Sequence, residues 1–172
     1  MEFEQIVTVL TTPLVIAIVG IFINKNLAKY RSSLVLNVKL IEKRIEIYDA
    51  ISVELNEVFQ FMTRVGSWKD ISPKKLIEKK RNLDQFVHQN KPYWCSDVLS
   101  AYTAFMEECF KTNTGTGEDA KIKADIVKYE NLDHWAVKYN SMFTGEEADK
   151  ETIRAKYNQL VGAVSNDFNP PK

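Results

Sequence analysis

The chain is 172 residues long, enough for one modest domain and an appendage, and its 23 Lys plus Arg balance its 23 Asp plus Glu. Zero net charge excludes the strongly basic class of polyanion binders, so no DNA partner is expected. Six glycines and long helix-favouring stretches point to an all-α protein.

The N-terminal stretch is uncharged from Ile6 to Ile23, 18 residues. At about 1.5 Å per residue it reaches roughly 27 Å, enough for a hydrocarbon core about 30 Å thick. A signal peptide places positive charge before its apolar run and small residues after it. Here Glu2 and Glu4 come first, Asn24, Lys25 and Asn26 follow, and no A-x-A-like site appears. Nothing later in the chain is apolar enough to surround a helix greasy on every face, so a membrane span over residues 1–24 is expected. Lys25, Lys29 and Arg31 follow the span, which places the N-terminus outside and residues 25–172 in the cytoplasm. Within the span Thr8 and Thr12 lie on one face beside Pro13, which frees a backbone carbonyl. The threonines either satisfy that backbone locally or meet other copies and a wet path.

No Gly or Pro occurs from Lys25 to Val65, so a long connecting helix over 25–65 is expected to run on from the span. Leu34, Val38, Ile41, Ile45, Tyr48, Ser52, Leu55, Phe59 and Met62 recur in steps of four and three, a heptad-like seam for self-association. Ile47 and Ile51 widen the stripe, as packing in a bundle requires. Ser72 before Pro73 predicts a helix start and a helix over 73–89. A turn at 90–94 and a helix over 96–111 follow. Residues 112–119, TNTGTGED, are the clearest loop. Thr116 with Asp119 reads as a capping box for a helix to Phe143, with the stripe Ile122, Ile126, Tyr129, Leu132, Ala136, Tyr139 and Phe143. Thr144 with Glu147 repeats the pattern for a last helix carrying Ile153, Tyr157, Leu160 and Val164. The soluble part thus reads as a bundle of about five helices, with no convincing strand.

Catalytic and metal constellations are missing from the sequence. His88 and His134 are the two histidines and have no ligand-spaced partner; Cys95 and Cys109 match no zinc or redox spacing. No catalytic residues, metal or cofactor are expected. Charge is nevertheless unevenly spread. Lys69 to Lys91 holds seven basic and three acidic residues, whereas Asp97 to Glu151 holds twelve acidic and six basic. At helical spacing Lys75 with Lys79, and separately Lys74 with Arg81, form a positive ridge. Trp68, Tyr93 and Trp94 lie at the ends of this segment. Basic groups beside aromatics suit phosphates and stacked bases. They suit anionic lipid head groups equally, and a face paired with the acidic half of another subunit is the bland alternative. The candidate ligand-binding set is Lys74, Lys75, Lys79, Arg81, Trp68 and Trp94.

In layout, the uncharged run of residues 6–23, the joined helix to about residue 64 and the compact non-enzymatic remainder resemble small bacterial membrane-anchored effectors of antiphage defence. Some of these, in type III CRISPR systems, are gated by cyclic oligoadenylates. The resemblance implies an inner-membrane, self-associating effector whose cytosolic domain senses a signal, with a cyclic oligoadenylate as candidate ligand and membrane lipid as partner. The rival expectation is a non-enzymatic anchor that recruits a cytosolic protein.

Overall fold

A computed structural model describes residues 2–112, 115, 117–132 and 135–169, with side chains from Val19 onward. Helix α1 runs from Glu2 to Thr63, α2 from Pro73 to Gln89, α3 from Ser96 to Cys109 and α4 from Lys150 to Asp167. Strands β1, Phe110–Lys111, and β2, Lys121–Ile122, pair antiparallel, and short 3-10 turns fill the connections. The chain is mostly helical, as expected. It divides into two compact units at Leu40 and Ile41. The side chains of Thr8, Thr12 and Pro13 are not among those described, and Thr116 and His134 lie outside the described residues. Among the described residues no helix is long and apolar enough to cross a membrane. Of the run from residue 6 to 23, side chains are described only from Val19.

In the unit from Ile41 onward, α1 contributes Ile47, Ile51, Leu55, Val58, Phe61 and Met62 to the core. This stripe sits one residue, about 100° of helix rotation, away from the Tyr48, Ser52 and Phe59 part of the sequence seam. Tyr48 and Phe59 pack at its border. The upper seam is exposed at Leu34, Val38 and Ile45. From α2 come Leu76, Ile77, Leu83 and Val87, and from α3 Val98, Tyr102, Phe105 and Met106. Each such side chain, once buried, stabilises the fold by about 1.5–3 kcal/mol. Phe59 of α1 stacks on Tyr157 of α4 at 4.4 Å between ring centroids, and Phe105 of α3 lies 5.4 Å from the same tyrosine. Three helices therefore meet at one aromatic joint.

Helix ends obey local chemistry. Ser72 Oγ accepts from Lys75 N at 3.3 Å, and α2 begins at Pro73, as the sequence predicts. At the end of α1 the chain reverses through Arg64 and Gly66, both near φ +60°. A Cβ on Gly66 would also stand 2.9 Å from Gln60 Oε1, an atom that accepts from Ser67 N.

The helix expected over 116–143 does not form. Its backbone is drawn to distant partners: Lys123 N donates to Cys109 O at 2.9 Å, Thr144 N to Ile122 O at 2.9 Å and Ala148 N to Lys123 O at 3.1 Å. Asp125 Oδ1 accepts from Val127 N, a local turn that competes with helix. Ile122, Tyr129 and Phe143, three members of the expected stripe, do reach the core, as separate anchors on extended and turn segments. The last helix likewise starts at Lys150 rather than near Thr144, because Asp149 caps it through Thr152 N at 2.9 Å. Thr144 Oγ1 instead closes a turn with Glu146 N.

Candidate functional site

The basic segment lies on α2. Its apolar face turns inward, which leaves Lys74, Lys75 and Arg81 exposed and Lys79 half-buried. Two separate cavities border it, and they divide the ridge into the two pairs that helical spacing indicates. Lys74 and Arg81 line one of about 350 Å³, opposite Glu118, Asp119 and Lys121. Lys75 and Lys79 line another of about 310 Å³, with Glu57 and Asp70.

Most of these cations already have a carboxylate. Lys74 pairs with Glu78 at 3.7 Å, and Arg81 pairs with Asp119. The buried Oε2 of Glu57 has the Lys79 ammonium 2.6 Å away as its counter-charge. Their hydrogen bond lets Asp119 hold the Arg81 guanidinium above its ordinary pKa. Lys80, in the middle of the run, is buried, pairs with Asp84 and lies over the Phe110 ring. Asp84 also accepts from the Tyr102 hydroxyl at 2.7 Å. Burial, more than that neighbouring carboxylate, pushes the Tyr102 phenol well above its usual range. Its i, i+4 spacing to Asp84, on the face of Leu76, Leu83 and Val87, is the signal in the sequence for this burial.

The two tryptophans are not brought to either cavity. Trp68 stands edge-on to Tyr129 at 5.6 Å, with the Lys69 ammonium 5.9 Å from its ring. Trp94 is 7 % exposed and belongs to the core, and among the described residues its Nε1 has no hydrogen-bond partner.

Two further charge clusters were not read from sequence. Arg44 on α1 donates to Tyr93 O at 2.7 Å and to Asp167 O at 2.8 Å, and pairs with the Asp167 carboxylate at 2.9 Å. Asp167 Oδ2 also accepts from Cys95 N at 3.4 Å, just before the start of α3. At the other end of the domain Glu147 joins Lys128 and, at 3.1 Å, Arg64. The Lys128 hydrogen bond and then Arg64 hold the Glu147 carboxyl below its usual range.

His88 is exposed in the last turn of α2. Cys109 is buried and Cys95 half-buried, both as free thiols, and burial pushes the Cys109 thiol well up. Among the described residues no three His, Cys, Asp or Glu side chains are grouped to hold a metal. No protein-family model matches the chain, and neither a curated protein nor a solved structure matches it.

Proposed function

We propose that the chain is a membrane-anchored, non-enzymatic effector: the domain from Ile41 onward receives a cytosolic signal, and the N-terminal run acts on the bacterial inner membrane. The observation that carries the reading is helix α1 itself. A single helix from Glu2 to Thr63 contains the 18-residue uncharged run and also supplies Ile47, Leu55, Val58 and Phe61 to the domain core. Any signal that repacks that core acts on the same helix that carries the run. The basic flank at Lys25, Lys29 and Arg31 supports a cytoplasmic domain. Exposed Leu34, Val38 and Ile45 support self-association through the upper seam. A cyclic oligonucleotide is the proposed signal and antiviral defence the proposed setting, on the layout resemblance and the basic residues of α2.

A second reading is an anchor that recruits a protein partner. The ion pairs of Lys74, Lys79 and Arg81 favour it, since a nucleotide must compete with carboxylates already in place. Reconstitution into dye-loaded vesicles separates the two. The effector requires detergent for extraction and releases dye when a member of a cyclic oligoadenylate panel is added. A protein that is extracted only by detergent yet never releases dye with any member of the panel fits the anchor. A full-length protein that stays in solution without detergent refutes both.

A further inference from the structure

Helix α1 carries a second apolar face. Leu27, Leu34, Val38 and Ile45 lie on one helix, and at 3.6 residues per turn their spacing keeps them within about 40° of one another. All four are 41–53 % exposed. In the unit from Ile41 onward, Ile45 is turned away from the core: Ile47, two residues on, lies about 200° further round and is buried. Among the described residues the other unit, Met1–Leu40, holds no element but α1, so nothing within it covers Leu27, Leu34 or Val38.

The residue types on this face fit a second copy of the same helix. In a heptad with Leu34 at d, Val38 and Ile45 take a positions, and Leu27 and Ile41 take d. β-branched residues at a with leucine at d suit two parallel strands. Charge points the same way. Glu42 and Asp49 fall at e positions, are exposed, and form no ion pair among the described residues. Antiparallel strands set e against e and bring these carboxylates together. Parallel strands set g against e of the other copy, which puts the Asn37 amide beside Glu42 of the second copy. Arg31 is the one charge at an a or d position between Leu27 and Ile45. Its stem can pack while its head reaches water, at a cost that keeps the pair weak in solution.

We propose that residues 27–45 of α1 pair with the same residues of a second copy, as a parallel, in-register, two-stranded coiled coil. The stretch is about 28 Å long, short for helices meeting freely in water. Holding both N-terminal runs in one membrane raises the effective concentration of the helices and fixes them parallel. The inference thus rests on the membrane anchor proposed above, and gives its self-association a copy number, a direction and a register.

Cysteine cross-linking of the full chain in membranes tests the register. Cys95→Ser first removes the half-buried native thiol. Leu34→Cys then places a thiol at d, and Leu36→Cys makes the same exchange two residues on, on the far side of the helix. A disulfide needs its Cα atoms within about 7 Å, so Leu34→Cys is expected to cross-link at least about fivefold more than Leu36→Cys. Native mass spectrometry of wild type in mild detergent is expected to show two copies. Val38→Glu sets two carboxylates together at one a position and is expected to lower the dimer fraction at least about tenfold. Because Val38 is exposed, the melting of the domain, read by circular dichroism, is expected to stay at the wild-type value. Equal cross-linking at both positions, none included, overturns the coiled coil, and so do three or more copies. A strict monomer that requires detergent also overturns it and leaves the anchor standing. A chain that stays in solution without detergent overturns the anchor, and the two cysteine variants then decide the pairing in solution by the same comparison.

Discussion

Replacing Asp167 with alanine should be among the most damaging single changes to the domain. Its carboxylate is 5 % exposed and receives Arg44 at 2.9 Å and Cys95 N at 3.4 Å, while the Arg44 side chain is 17 % exposed. Removing one partner of a buried pair costs about 3–5 kcal/mol, because the other charge stays behind uncompensated. Arg44 keeps two acceptors here, the carbonyls of Tyr93 and of residue 167, whose backbone survives the substitution. The loss should therefore fall at or below the bottom of that range, about 2–3 kcal/mol. For a domain of this size 1 kcal/mol moves the melting temperature by about 3–4 °C, so Asp167→Ala should melt about 6–12 °C lower. Circular dichroism of the full chain in mild detergent reads this directly. Arg44→Met with Asp167→Leu removes both charges and should recover most of the loss, since no charge is left buried. An Asp167→Ala protein melting within 2 °C of wild type would refute the assignment of Arg44 and Asp167 as the tie between α1 and α4. So would a double variant that melts lower than the single.

Glu147→Gln should destabilise most near neutral pH and progressively less on acidification. The Glu147 carboxyl is held below its usual range when folded, so its contribution is present above the unfolded pKa and fades as pH falls toward the folded one. Urea unfolding of both proteins from pH 7 to pH 3 measures the difference, and a flat difference contradicts the pairing with Lys128 and Arg64. Tyr129→Phe loses the hydroxyl that donates to Phe61 O at 3.2 Å and should cost about 0.5–1 kcal/mol, near the low end because Arg64 N shares that carbonyl. Burial pushes the Tyr129 phenol up to about 12, so its stabilisation is complete below the unfolded value near 10 and is lost between there and 12. Alkaline titration of stability should show this loss in wild type and a smaller one in Tyr129→Phe.

The parts of the fold legible in the sequence were those whose cause is local. Ser72 and Pro73 start α2 by a side-chain bond three residues long and a ring with φ already set, and neither depends on tertiary contacts. The apolar spacing of α3 and α4 is similarly self-contained. What misled was a stripe whose members are buried for another reason. Ile122, Tyr129 and Phe143 are seven and fourteen residues apart in order, a helical spacing, yet each fills the core from a strand or turn. Periodicity reports that residues face inward at intervals; only the backbone's partners decide between a helix and three separate anchors. Those partners, Cys109 O and Ile122 O, are set by long-range docking that no window of sequence contains. On α1 the seam and the core stripe share Leu55 and Met62, but Ile47, Ile51 and Val58 are buried where the seam has Tyr48, Ser52 and Phe59.

The same distinction governs the site. Counting seven basic residues against three acidic from Lys69 to Lys91 describes composition along a line. In space, the carboxylates that answer them come from both sides of that segment: Glu57 reaches Lys79 from α1 and Asp119 reaches Arg81 from beyond β1. Only Glu78 and Asp84 were visible as helix neighbours of Lys74 and Lys80. A local excess of charge is therefore a measure of what the rest of the fold must supply, and whether it is also a binding site turns on how firmly the supplied charge is held. Glu57 is anchored in α1 with its Oε2 buried, so Lys79 is tied for structure. Asp119 and Arg81 are both more than half exposed, so of the two long-range pairs theirs is the one that water and salt screen most.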